Sequence, residues 1–197
     1  MSHPGGAASP WLLRWAHLIR PGGRVLDLAA GGGRHSRWLA ANGFAVTAVD
    51  RDAAAMAALD GVAETLVADL EAAPWPLAGR SFDAVLVTNY LWRPLFPAIV
   101  GAVGGGGVLL YETFAAGNES VGRPARPDFL LARGELLGVA TGLQVVAFED
   151  GFLGDPDRFV QRIAAVRPLP EANPPRHLLA AAAHGADGNP GSLESTG

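Results

Sequence analysis

Cysteine and lysine are both absent from this chain of 197 residues. Without cysteine there is no disulfide staple, no thiolate nucleophile and no cysteine-ligated zinc or iron–sulfur site, while the compartment stays undecided. Without lysine there is no Schiff-base nitrogen, no lysine general base and no phosphate-loop lysine. Charge is sparse as well. Fifteen basic side chains, all arginine, stand against 19 acidic ones, a formal net charge of −4. With no basic run, no nucleic-acid partner is expected, and a local arginine cluster could serve only one small anion. Long apolar runs are also missing. Arg14 and His17 interrupt Trp11–Ile19, which does not read as a secretory signal. The apolar stretch from Pro97 to Tyr111 carries five glycines and reads as helix, turn and buried strand, so no membrane association is expected. No histidine pair has metal-ligand spacing, so no metal is implied. The default expectation is a cytoplasmic protein.

What is present suffices for a fold: 49% of residues are hydrophobic, and a single domain of this length removes roughly 70% of its unfolded surface from water. Ser9-Pro10 followed by Trp11, Leu12, Trp15, Leu18 and Ile19 is an N-cap, a first-turn proline and a helical apolar stripe, ended by Pro21-Gly22-Gly23. An alternation follows: strand Arg24–Ala29, helix Arg34–Asn42, strand Ala45–Asp50, helix Asp52–Leu59, strand Glu64–Ala68, strand Phe82–Thr88, helix Trp92–Val103, a turn Gly104–Gly107 and strand Val108–Thr113. These strands are apolar runs without strict alternation, the pattern of a parallel sheet covered on both faces. The expected fold is therefore α/β, a doubly wound, mostly parallel sheet. Ala115–Asp128 is a long polar loop, followed by a helix Phe129–Thr141 broken near Gly134. Leu143–Glu149 and Arg158–Val166 are joined too closely for a helical crossover and read as an antiparallel hairpin. Residues 1–167 form the expected domain, and 168–197 a flexible tail with a short helix Arg176–Ala183.

The chemistry concentrates at Val25-Leu26-Asp27-Leu28-Ala29-Ala30-Gly31-Gly32-Gly33-Arg34-His35-Ser36, an apolar strand ending in an acid, a turn of small residues and a helix start. Such a turn lets a ligand reach backbone N–H groups, and the helix N-terminus favours a negative group. Asp50 ends the second strand, 23 residues after Asp27, where a carboxylate can accept two ribose hydroxyls. Its alternative role is a cap on the next helix. Asp69 ends the third strand, placed to accept from an adenine amino group or to stand as a solvated loop acid. Three acids on successive strand tips around one glycine turn reinforce one another. His35 reads as a capping or packing residue.

With VLDLAAGGGRHS, AVTAVDRD, LVADLE and FDAVLVTNYLW, the sequence resembles the class I S-adenosylmethionine-dependent methyltransferases over roughly Arg24–Val166. The resemblance implies a seven-stranded sheet whose last two strands form the hairpin, and S-adenosyl-L-methionine as cofactor. It places Asp27 and the Ala29–Gly33 loop, Gly31 and Gly33 included, at the methionine end, Asp50 at the ribose and Asp69 with Leu70 at the adenine, with Arg51 and Asn89 also among the cofactor-binding residues. The family's first loop glycine is Ala29 here. A dinucleotide-binding oxidoreductase is the rival, but its third glycine would fall at Ser36, and Asp27 would face two phosphate charges. A non-catalytic cofactor-binding module is the other. Methyl transfer asks mainly for alignment, so a base is needed only for a protonated acceptor, and Tyr90 and Glu112 are the candidates. Trp92, Arg93, Arg123 and Arg126 are candidates for acceptor binding, the arginines as planar forks for a carboxylate or phosphate. The wider resemblance, carried by NYLWRPLFPAI, YETF and RPDFLLARGELL, is to small bacterial methyltransferases. The expected acceptor is a small molecule, and the oligomeric state is open.

Overall fold

A computed structural model describes residues 6–170 and 175–180. Ser9 accepts the amide of Trp11 and starts α1, Pro10–Trp15, which runs into a 3₁₀ turn, Ala16–Leu18. Then come β1 (Arg24–Leu28), α2 (Arg34–Ala41), β2 (Ala45–Asp50), α3 (Ala53–Ala57), β3 (Glu64–Val67), β4 (Phe82–Thr88), α4 (Phe96–Gly101), β5 (Val103–Phe114), α5 (Glu135–Val139), β6 (Gln144–Gly154) and β7 (Asp157–Val166). The seven strands form one sheet in the order β3-β2-β1-β4-β5-β7-β6. The first five run parallel to one another, and β7 is antiparallel to both β5 and β6. The doubly wound sheet and its final hairpin are therefore present as expected. The chain winds outward in one direction from β1 and in the other from β4, so the order reverses between these adjacent strands, and the crevice for ligands opens at their carboxyl ends.

Each face of the sheet carries its own apolar layer, because successive side chains of a strand point to opposite sides. On one face Leu26, Val85, Val87, Leu109 and Tyr111 pack under α4 and α5. On the other, Val25, Ala84, Leu86, Val108 and Leu110 meet Trp11, Leu12 and Trp15 of α1. The indole Nε1 of Trp11 donates to the carbonyl of Ile163 at 3.1 Å, which ties α1 to β7.

Several helices are shorter than the sequence predicts, for backbone reasons. The expected helix Trp92–Val103 divides into a 3₁₀ turn, Arg93–Leu95, and α4, because Pro94 and Pro97 each lack an amide hydrogen. The expected helix Phe129–Thr141 reduces to α5, entered through Gly134 at φ +69°. The expected turn Gly104–Gly107 is instead the irregular start of β5: a Cβ at Gly107 would lie 2.7 Å from the Phe82 carbonyl, so only bare backbone fits that approach. The hairpin strands run to the tight turn at Asp155-Pro156. Residues 175–180 are not helical, contrary to the expected helix Arg176–Ala183, whose remainder lies outside the described residues, as does most of the expected tail. No helix of the described residues is long and apolar enough to cross a membrane.

Candidate active site

The tip of β1 turns sharply. Ala29 has φ +55°, a left-handed conformation unfavourable for a residue with a side chain, and Gly31 and Gly33 follow at φ +54° and +74°. The amide of Ala30 donates to the carbonyl of Val49, which anchors the turn to the end of β2. From there Asp50 reaches across: its Oδ2 accepts the Gly31 amide at 2.8 Å and its Oδ1 accepts the Asp52 amide at 2.9 Å. The cap of α3 is Asp52, whose Oδ1 accepts the amides of Ala54 and Ala55. Asp50 is thus released from the capping role that was its alternative. It faces the glycine turn, half-buried, with lone pairs left on both oxygens.

Asp27 stands differently. Its side chain is 1% exposed and its Oδ2 accepts the Ser36 hydroxyl at 2.6 Å, bracing the start of α2 from beneath the turn. Burial raises its pKa to about 6, against the lowering effect of Ser36 and of the Arg34 charge. It underlies the loop and does not line an open surface. Gly33 is fixed by packing: a Cβ there would lie 2.5 Å from Leu59 Cδ2. His35 is buried, and loss of hydration with the nearby Arg34 charge lowers its pKa to about 3, so it is neutral and its Nε2 has no partner.

At the end of β3, Asp69 is exposed, and its Oδ1 accepts the amides of Glu71 and Ala72, a turn-capping role. Leu70 is buried in the core beneath it. Across the crevice, Asn89 at φ +55° donates its amide to the carbonyl of Glu112, locking the tips of β4 and β5 together. Tyr90 follows. Its hydroxyl is buried without a partner, and burial together with the charges of Glu71, Asp69 and Asp50 pushes its pKa up. That environment favours the protonated phenol over the phenolate. Arg51, exposed, is the counter-charge near it.

The acceptor candidates separate. Trp92 packs half-buried against the core. Arg93 is drawn away into a structural clamp: Nε and Nη2 bind the two carboxylate oxygens of Glu135 at 2.7 and 2.9 Å, while Nη1 and Nη2 donate to the carbonyls of Asp128 and Leu130. With every guanidinium nitrogen engaged, Arg93 is not free for a ligand. Arg126 is exposed, pairs with Asp128 and lies over the Phe129 ring. Arg123 alone of the three reaches the site. It lines a cleft of about 400 Å³ together with Arg34, Asn89, Glu112, Thr113 and Arg158.

Arg34 and Arg158 were not singled out in the sequence reading. Arg158 stands 46 residues beyond Glu112 and is brought near only by the antiparallel pairing in which Phe114 faces Val160. Arg34 had a readable signal, a cation in the first turn of a helix, where the backbone field disfavours it.

Residues 25–103 match the family described as Methyltransferase domain. No curated protein matches the chain. Among solved structures, TehB from Haemophilus influenzae superposes with a TM-score of 0.62 at 23% identity, covering 77% of this chain, which spans 59% of that protein's length. An S-adenosylmethionine-dependent methyltransferase from Methanosarcina mazei gives 0.64 at 16% identity, covering 83% of this chain and 100% of the other. Magnesium protoporphyrin IX methyltransferase from Synechocystis, solved with bound S-adenosylhomocysteine, gives 0.59 at 16% identity over 80% and 78% of the two chains. At such identities these likenesses are of fold. The fold is that of these methyltransferases, and residues 25–103 match the methyltransferase-domain family model.

Proposed function

We propose that the chain transfers the methyl group of S-adenosylmethionine to a small-molecule acceptor held in the cleft beside Asn89 and Glu112. The observation that carries this reading is Asp50, turned onto the Gly31 amide with spare acceptor capacity. The side-chain-poor turn beside it and the unpartnered Tyr90 hydroxyl fit the same cofactor. On this reading Asp50 takes the ribose hydroxyls, Asp69 and the backbone at Leu70 the adenine, and the Ala29–Gly33 backbone the methionine end. Asp27 lies beneath the turn, bracing Ser36 and adding its buried charge to the field under the loop.

When bound, the cofactor supplies a methyl carbon on a sulfonium that is already a good leaving group. Asp50, Asp69 and the Ala29–Gly33 backbone would hold the cofactor, and Glu112 would take up any proton lost from the acceptor. The protein's contribution is alignment, worth roughly 7–11 kcal/mol in well-oriented reactions. The locked tips of β4 and β5 form the rigid wall of that alignment. A dinucleotide enzyme is disfavoured by the buried Asp27 beneath the turn, which would repel a pyrophosphate.

The test is calorimetric titration with S-adenosylmethionine, S-adenosylhomocysteine and NAD, on the native chain and on Asp50→Ala. Both sulfur compounds should bind and NAD should not. For each charge-assisted hydrogen bond of about 1.5–3 kcal/mol that the substitution removes, affinity should fall by about 10- to 150-fold. Binding of NAD in place of the other two would overturn the reading.

A further inference from the structure

The arginines of this chain divide by partner. Among the described residues Arg14, Arg20, Arg80, Arg93, Arg126 and Arg162 each pair with a carboxylate. Nine others do not, Arg24, Arg37, Arg51, Arg133, Arg167 and Arg176 among them, but only Arg34, Arg123 and Arg158 of these line the cleft that also holds Glu112 and Asp157. The one hydrogen bond of these three guanidinium groups within the described residues is a long one, 3.3 Å from Arg34 Nη1 to the carbonyl of Ala7. Arg34 and Arg158 are half-buried, so their charges are partly withdrawn from water without a compensating anion. Arg34 also opens α2, where the helix field repels a cation and attracts an anion. Placement adds a direction: Arg34 enters from the glycine turn, Arg123 from the loop after β5 and Arg158 from the start of β7, while Asn89 and Glu112 stand at the strand tips.

We infer that the methyl acceptor carries an oxyanion group, a carboxylate or a phosphate, seated between Arg34, Arg123 and Arg158, with its reacting atom turned toward Asn89 and Glu112. This rests on the methyl-transfer reading and specifies its substrate class. Guanidinium forks match planar and tetrahedral oxyanions through paired N–H bonds. Three cations against the two acids of the cleft leave one positive charge for the ligand to neutralise. Among the described residues Glu112 forms no ion pair with any of the three forks.

The probes are benzoate and phenyl phosphate, with neutral benzamide as control, titrated calorimetrically into the full chain saturated with S-adenosylhomocysteine and into the cofactor-free chain. At least one anionic probe should bind saturably and benzamide should not; which of the two binds separates carboxylate from phosphate. Arg158→Gln and Arg123→Gln should each weaken the anion by about tenfold or more while leaving S-adenosylhomocysteine affinity within about twofold. Equal binding of benzamide, absence of binding by both anions, or variants that leave anion affinity unchanged would each overturn the inference. Failure of S-adenosylhomocysteine to bind would instead strike the methyl-transfer reading, and the cofactor-free titration would still decide the anion site. With labelled S-adenosylmethionine and a metabolite extract, label should appear in acceptors retained on an anion exchanger; transfer only to unretained compounds would also overturn it.

Discussion

At the scale of single residues, backbone conformation and packing separate positions that look equivalent in a glycine-rich run. Ala29 and Gly33 are both left-handed, at φ +55° and +74°, but only Gly33 lacks room. Gly33→Ala would add a left-handed side chain, about 1–2 kcal/mol, and press a methyl group into Leu59, about 1–3 kcal/mol more. A stability loss of about 2–5 kcal/mol is expected from urea unfolding. Ala29→Gly works the other way. Removing the left-handed Cβ outweighs the added freedom of the unfolded chain, so a gain of roughly 0.5–1 kcal/mol is expected in the same measurement. The sequence displays Ala29 in place of a glycine, but neither the strain there nor the Leu59 contact is legible from the letters.

At the scale of elements, a clamp at Arg93 is one of the ties that hold the long connection from β5 to α5. Arg93 binds both oxygens of Glu135, and Glu135 also accepts the Ala132 amide at 2.7 Å. Gln161, wholly buried on β7, accepts the Leu136 amide and donates to the Ala132 carbonyl. Arg93→Lys keeps the charge but loses the planar fork, and with it the paired bonds and the two carbonyl contacts. The pair is partly exposed, so the expected cost is modest, about 1–2 kcal/mol. Hydrogen exchange should quicken at Leu131 and Ala116, whose amides tie this segment to the end of β5. An Arg93→Lys protein with unchanged exchange at these two positions would show that the clamp does not hold the loop. The reading of Arg93 as a substrate ligand came from its place beside a strand tip; its partners lie 35 to 42 residues away, beyond any local pattern.

At the scale of the whole molecule, two buried titratable groups oppose each other in setting stability against pH. Asp27 has a folded pKa of about 6, above its unfolded value of about 3.9. Between pH 4 and 6 the folded chain keeps a proton that the unfolded chain has released, so this contribution is full below pH 4 and disappears as pH rises through 6. His35 has a folded pKa of about 3, below its unfolded value of about 6.5, so its contribution is present above pH 6.5 and is lost progressively as pH falls toward 3. Each slope approaches 1.4 kcal/mol per pH unit, about one proton, and the signs are opposite. Native stability should therefore be nearly flat between pH 4 and 6 with respect to these two groups. Asp27→Asn should unmask the His35 slope and fall on acidification through that window. His35→Gln should unmask the Asp27 slope and rise. Urea midpoints measured across the window decide it.

Much of the architecture was written locally. Apolar runs punctuated by glycine and proline determined the parallel strands, the short link between β6 and β7 determined a hairpin, and the acids at the strand ends marked where a ligand belongs. These are properties of neighbouring residues, set by side-chain period and backbone freedom. The tertiary structure decided what each charge does, because a charge takes its role from its partner and its depth. Asp27 went beneath the turn and Asp50 onto it; Arg93 was taken by Glu135, and Arg34 and Arg158 met Arg123 in one cleft with no carboxylate partner among the described residues. Such pairings join residues far apart in the chain through the stacking order of the strands, so no window of sequence contains them.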